Sequence, residues 1–163
     1  MKSFYYLQLP VVNVVVETRI ATEAVDVNSI ISKLTESSRE GCGALVMFMG
    51  FVKGVVEGNE VRSLTYEAYE SLAVKVMNDI ANDLLKTFKV RDLIIIHRVG
   101  KLKPRDPTIY IFVTAPEREE AFKAAQLALE RVKHEVPIFK LEERSDGSYW
   151  VVGDRRRIPS SRS

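Results

Sequence analysis

Lys133 and Lys140 flank a proline in the run Lys133-His134-Glu135-Val136-Pro137-Ile138-Phe139-Lys140. The run lies where a long helical pattern of apolar residues gives way to a strand-like one. Pro137 lacks an N–H and clashes with the preceding turn, so the helix must stop there. Lys133 is then carried on the helix's C-terminal end and Lys140 on the strand that follows. Two ammonium groups at such a switch can converge on one anion, and partial burial can turn one of them into a reactive amine. On spacing alone the pair reads as ordinary solvated lysines, because the chain holds 24 Lys and Arg and most charged residues are exposed.

Other basic groups fall at the ends of expected elements. Lys53 ends a strand, Arg118 opens the second long helix, and His97-Arg98 end a further strand. A cation in a first helical turn opposes the helix dipole, so Arg118 points either to an anion site built with the free N–H groups or to an ion pair with Glu119 or Glu120. His97 follows four apolar residues and is expected on the packed rim of a sheet. His134 can depress the pKa of its neighbour Lys133, or simply face solvent. Cys42, between two glycines, is expected to be a buried structural thiol. A single cysteine excludes an internal disulfide framework and a multi-cysteine zinc site. No phosphate-cradling glycine loop and no H-x-x-x-H or C-x-x-C pair is present, so neither a metal nor an organic cofactor is expected.

The elements that must position these groups follow from periodicity. Val11–Ile20 is β-branched and reads as a strand. Asp26 caps a short helix over Val27–Ser37. Ala44–Lys53 and Val61–Tyr69 are strands around a flexible loop, Gly54–Glu60. Leu72, Val76, Ile80, Leu84 and Phe88 form the stripe of a helix from Glu70 to Lys89. Leu93–Arg98 and Thr108–Thr114 are apolar strands joined by a loop from Val99 to Pro107. A second helix starts near Pro116 with the stripe Phe122, Ala125, Leu129, Val132 and Val136. Strands at Ile138–Arg144 and Tyr149–Val152 close the pattern around the turn Ser145–Ser148. The plan is α+β, with a mostly antiparallel sheet and two long helices.

Length, at 163 residues, suits a single domain with a real core. The expected division is an N-terminal extension over 1–10, the domain over 11–153, and a polar, Arg-rich tail over 154–163, frayed or ordered only against a partner. A net charge of +2 leaves no strongly basic field, which counts against a dedicated nucleic-acid binder, including one using Arg155-Arg156-Arg157. No apolar run is long enough to span a membrane, and the N-terminus lacks a small-residue cleavage site, so a cytoplasmic location is expected.

Five segments together resemble one family. Gly43-Ala44-Leu45-Val46-Met47-Phe48-Met49-Gly50-Phe51-Val52-Lys53 is similar to the "GA-hydrophobic-F-x-G-x-V-R" strand of molybdopterin synthase catalytic (large) subunits. Leu64-Thr65-Tyr66-Glu67-Ala68-Tyr69, Ile96-His97-Arg98-Val99-Gly100-Lys101-Leu102, and Val113-Thr114 through Arg118 with Ala121-Phe122 follow in the family's order. Leu129 through Lys140 resembles "K-x-x-x-P-x-(W/F)-K" and leads to a strand with Trp150.

The resemblance implies an α/β hammerhead-like fold and a homodimer at the core of a heterotetramer. Each subunit would receive the Gly-Gly tail of a small ubiquitin-like sulfur carrier. The tail's thiocarboxylate would give sulfur to cyclic pyranopterin monophosphate, forming the dithiolene of molybdopterin. It further implies that Lys133 and Lys140 are the essential lysines. Glu117 and Arg118 would bind substrate, Phe51, Val52 and Lys53 would form the pocket strand, and Leu141 and Glu142 the pocket backbone.

Three positions depart from the family pattern. Lys53 replaces an arginine and loses bidentate phosphate geometry. Glu117 stands where histidine is frequent, and Lys103-Pro104-Arg105-Asp106-Pro107 replaces a Gly-Asp loop. The first two leave open a non-catalytic homologue that only holds a pterin or a carrier tail.

Overall fold

The computed structural model describes residues 13–153 and 156–161. The expected extension over 1–10 lies outside the described residues. In chain order the elements are β1 (Val16–Ala21), α1 (Val27–Thr35) running into a 3-10 turn (Glu36–Glu40), β2 (Ala44–Phe51), β3 (Val55–Val56), β4 (Asn59–Ala68), α2 (Glu70–Thr87), β5 (Asp92–Arg98), β6 (Gly100–Leu102), β7 (Pro107–Ala115), α3 (Arg118–Glu135), β8 (Ile138–Arg144), β9 (Gly147–Val152) and β10 (Arg156–Pro159).

The strands form two sheets. The first has the order β1-β5-β7-β2, and the second β10-β9-β8-β4-β3 with β6 also on β4. Among the described residues only the β1–β5 pair is parallel. The α+β plan, mostly antiparallel with two long helices, is thus the one built here, although the strands divide between two sheets.

Strands β5 and β7 are buried along nearly their whole length, which is why they read as unbroken apolar runs. Their pleat sends Leu93, Ile95, Ile111 and Val113 into a core with α2 and α3. Ile94, Ile96, Tyr110 and Phe112 go to the other face, where Leu34 of α1 meets them. Val52, Val61, Leu64 and Leu102 form a smaller cluster in the second sheet.

Several boundaries and faces differ from expectation. β1 begins at Val16, and the helix after Asp26 becomes 3-10 at Glu36. The loop over 54–60 holds β3 and a hairpin turn at Glu57 and Gly58, whose φ angles of 52° and 79° match the twist of a tight hairpin. The loop over 99–107 contains β6, and the Arg-rich tail contains β10, paired along β9. Helix α3 begins at Arg118, so Pro116 lies outside it. The buried faces of the long helices are lined by Ala73, Met77, Ile80, Ala81 and Leu84 in α2, and by Ala121, Ala124, Ala125, Ala128 and Val132 in α3. Leu72 and Phe122, placed on the core stripes by their spacing, are 47% and 63% exposed. Small side chains at the contact let the helix axes lie close to the sheet. Cys42 is only half-buried.

Candidate active site

Helix α3 ends where the proline requires. The Val136 N–H closes the last turn on the Val132 carbonyl at 3.3 Å, and the Ile138 N–H turns back on the Val136 carbonyl at 2.8 Å. That three-residue reversal, Val136–Ile138, is a γ-turn, which swings the chain from helix into β8 within one proline. The Pro137 carbonyl accepts the Tyr69 N–H at 3.4 Å, tying the switch to the junction of β4 and α2. Lys133 lies in the last turn of α3, where the helix dipole favours a cation. Pairing of β8 on β4 sets Lys140 directly across from Tyr66.

Both lysines line one cavity of about 280 Å³ between the two sheets. Phe48, Gly50 and Phe51 of β2, His97 of β5, and Thr108 and Ile109 of β7 contribute from the first sheet. Tyr66, Ile138, Lys140 and Val151 contribute from the second, and α3 covers it with Leu129, Val132 and Lys133. Gly50 is required there: a Cβ would meet Ile109 Cγ2 and Thr108 Oγ1, each at 3.0 Å. A larger bowl of about 550 Å³ at the start of α1 is lined by Arg19, Glu23, Asp26 and Glu70 and by neither lysine.

The inner end of the cavity is neutral. Burial pushes the His97 imidazole down to about 4, opposed by its bond to the Arg98 carbonyl and reinforced by the charge of Lys140. His97 Nδ1 lies 2.8 Å from that carbonyl, which can only accept, so Nδ1 carries the proton and Nε2 keeps its lone pair. Burial also pushes the Tyr66 phenol up to about 12, against a hydrogen bond from Thr108 and with added repulsion from Glu142. Near pH 7 the cavity therefore sets the two lysines beside a protonated phenol and an uncharged imidazole. Such a set binds an anion and stabilises negative charge developing on a bound carbonyl.

The structure brings Phe51, Lys133 and Lys140 together. Val52 points into the small cluster with Val61, Leu64 and Leu102, and its backbone exchanges hydrogen bonds with Arg105 and Asp106 at 3.0 Å each. Lys53 is exposed past the end of β2 and outside the cavity lining. Leu141 is half-buried on the opposite face of β8 from Lys140. Glu142 is buried in an ion pair with Arg157, with N–O distances of 2.7 and 3.3 Å, so its side chain is not part of the lining. Glu117 and Arg118 stand exposed at the far end of α3. With 1.5 Å of rise per residue, Arg118 is roughly 22 Å along the axis from Lys133. The carboxylates beside it are turned elsewhere: Glu119 pairs with Lys123 at 2.7 Å and Glu120 accepts the Lys89 N–H at 2.9 Å.

Arg98 is buried, and its guanidinium donates to the carbonyls of Pro107 and Thr22, both at 3.0 Å, which makes it a strut for the end of β5. His134 is exposed beside Glu130 at 3.7 Å. Tyr66 and Thr108 were not singled out by the sequence as site residues, and His97 was placed on the rim. The signal available was a polar side chain inside an otherwise apolar strand, which Thr108 and His97 both show. Among the described residues no group of three or more His, Cys, Asp or Glu side chains is placed to hold a metal ion, and no helix is long and apolar enough to cross a membrane.

The chain is similar in sequence and fold to known proteins. Residues 20–135 match the profile of a family described as MoaE protein. A Pyrococcus abyssi protein named molybdopterin synthase catalytic subunit is 38% identical over 125 residues, covering 77% of this chain and 84% of its own. A crystal structure of molybdopterin synthase from Staphylococcus aureus superposes with a TM-score of 0.74 at 32% identity, covering 82% of this chain and 96% of that one. A complex of subunits 1 and 2 of molybdopterin-converting factor from Helicobacter pylori shares the fold, with a TM-score of 0.66 at 18% identity over 89% of this chain and 90% of that chain. The chain belongs to the MoaE protein family.

Proposed function

We propose that this chain is the catalytic subunit of a molybdopterin synthase. It transfers sulfur from the C-terminal thiocarboxylate of a small ubiquitin-like carrier to cyclic pyranopterin monophosphate. The observation that carries the reading is the convergence of Lys133 and Lys140, from opposite sides of Pro137, on one cavity with a neutral inner end. A phosphate-bearing pterin and a thiocarboxylate are both anions, and two cations, Lys133 exposed and Lys140 half-buried, complement them. Lys133, at the end of α3, stabilises the oxyanion that forms when the carrier's terminal carbonyl is attacked. Lys140, deeper on β8, holds the cyclic phosphate as its ring opens. Phe51, 59% exposed at the end of β2, covers the cavity mouth.

Arg118 enters this scheme only through a second copy of the chain, since its own α3 holds it at the other end from Lys133. The edge of β2, unpaired among the described residues, and the exposed Phe122, over a groove lined by Val46, Phe48, Ala125 and Leu129, give such a copy an apolar face to cover.

The test is turnover with a thiocarboxylated carrier. Lys133→Ala and Lys140→Ala are each expected to lose on the order of a hundred-fold or more, the scale of removing an oxyanion-stabilising group. Wild-type product yields from both would refute the reading. Mixing Lys133→Ala with Arg118→Ala chains tests the shared site: random pairing in a symmetric dimer restores roughly a quarter of the wild-type sites, and no recovery would place Arg118 outside it.

A further inference from the structure

Resting on that reading, we infer that Tyr66 is a positioning residue for Lys140, its ring serving as the seat of the ammonium, with His97 bracing the ring from behind. Tyr66 and Lys140 are direct cross-strand partners on the same face of the β4–β8 pair. Lys140 Nζ lies 5.9 Å from the Tyr66 ring centroid, within the reach of a cation–π attraction. The ring also meets the His97 imidazole, T-shaped at 5.1 Å between centroids and 68° between planes, and packs against the cluster of Val52, Val61, Leu64 and Leu102. All three side chains line the lysine cavity.

The arrangement answers a physical problem. A lysine side chain has four flexible methylenes and a strongly hydrated head, so its ammonium is poorly fixed without a seat. Here it must also share a small cavity with Lys133, which repels it. A ring face attracts the charge without itself binding any one N–H in a directed hydrogen bond. The seat works only if the group behind the ring is uncharged, because an imidazolium there would be a third cation. The fixed tautomer and burial of His97 keep it neutral near pH 7. Tyr66 itself is held by Thr108.

The experiment observes Lys140 directly. Lysine labelled with 13C at Cε, with the Lys140 resonance assigned by Lys140→Arg, is expected to show an upfield ring-current shift in the wild type. Tyr66→Phe keeps the shift, while Tyr66→Leu loses the shift and about five-fold in kcat/KM for the pterin. An unshifted Lys140 in the wild type overturns the seat. So does a Tyr66→Phe variant that loses the shift, or a folded Tyr66→Leu variant with wild-type kcat/KM. The wild-type and Tyr66→Phe spectra decide the matter even where Tyr66→Leu does not fold. The spectra need no turnover, so retained activity in Lys140→Ala would sink the proposed reaction and leave the seat standing on its own readout.

Discussion

Replacing Glu142 by Gln should destabilise the fold far more than the same change at its neighbour Glu143. Glu142 is 2% exposed and takes a two-pronged contact from Arg157, with Arg144 a further 3.7 Å away. Removing one partner of a buried ion pair costs about 3–5 kcal/mol, because the other charge is left without compensation. Two features reduce that figure here. Arg144 keeps Asp146 at 2.8 Å and Glu57 at 2.9 Å, and the Gln carbonyl still accepts one bond from Arg157. The expected cost is therefore about 2 kcal/mol, or roughly a 4–8 °C fall in Tm for a chain of this size. Glu143 pairs with Lys101 at 2.7 Å, but the two side chains are 34% and 64% exposed, so Glu143→Gln should cost under about 1 kcal/mol. Thermal and urea denaturation of the two variants side by side make the measurement, with an unchanged m value as the control for two-state behaviour. Equal stabilities for the two variants would refute the reasoning. If Glu142→Gln left Tm alone and raised KM instead, the carboxylate would belong to the ligand rather than to the β8–β10 contact.

His97 should make the protein acid-sensitive. Its folded pKa lies near 4 against about 6.5 unfolded, so between those values the unfolded chain binds the extra proton and stability falls as pH drops, by about 3 kcal/mol across the window. Urea titrations at pH 7 and pH 4.5 should show this loss, and His97→Gln should remove most of it; an equally steep loss in the variant would assign the effect elsewhere. Gly50→Ala should cost about 1–3 kcal/mol and lower turnover, because the new methyl presses on Ile109 and Thr108 beneath the lysines. A Gly50→Ala protein with unaltered Tm and kcat would show that this wall yields freely.

Much of the plan was legible because local rules dominate it. Pro137 ends α3, Asp26 caps α1 through the Ser29 N–H at 3.1 Å, and the apolar runs of β5 and β7 announce central strands. The expected stripes placed Ile80, Leu84, Ala125, Val132 and Val136 correctly in the core, but spacing gives weight to large residues such as Phe122, whereas much of the contact of α3 is made by alanines. β10 was missed because Arg156 and Arg157 read as a solvated tail. The partner that holds Arg157 in place is Glu142, on another strand. The lysine pair was legible from the proline and the family resemblance together. Tyr66 and His97 were not, since they belong to different sheets and nothing local in β4 or β5 says that the two will meet.

The two sheets also alternate along the chain. After β4 the polypeptide visits the first sheet at β5, the second at β6, the first at β7 and the second again at β8. No cut in the sequence separates one sheet from the other, so neither can be inherited, exchanged or produced as an independent piece. The same weaving sets a schedule for synthesis. β4 emerges from the ribosome early but waits for β8 to cover one side, and until then it presents an open edge to other chains. Tyr66 is likewise made long before the Lys140 it will face. The cavity can thus form only once β8 and β9 have been made.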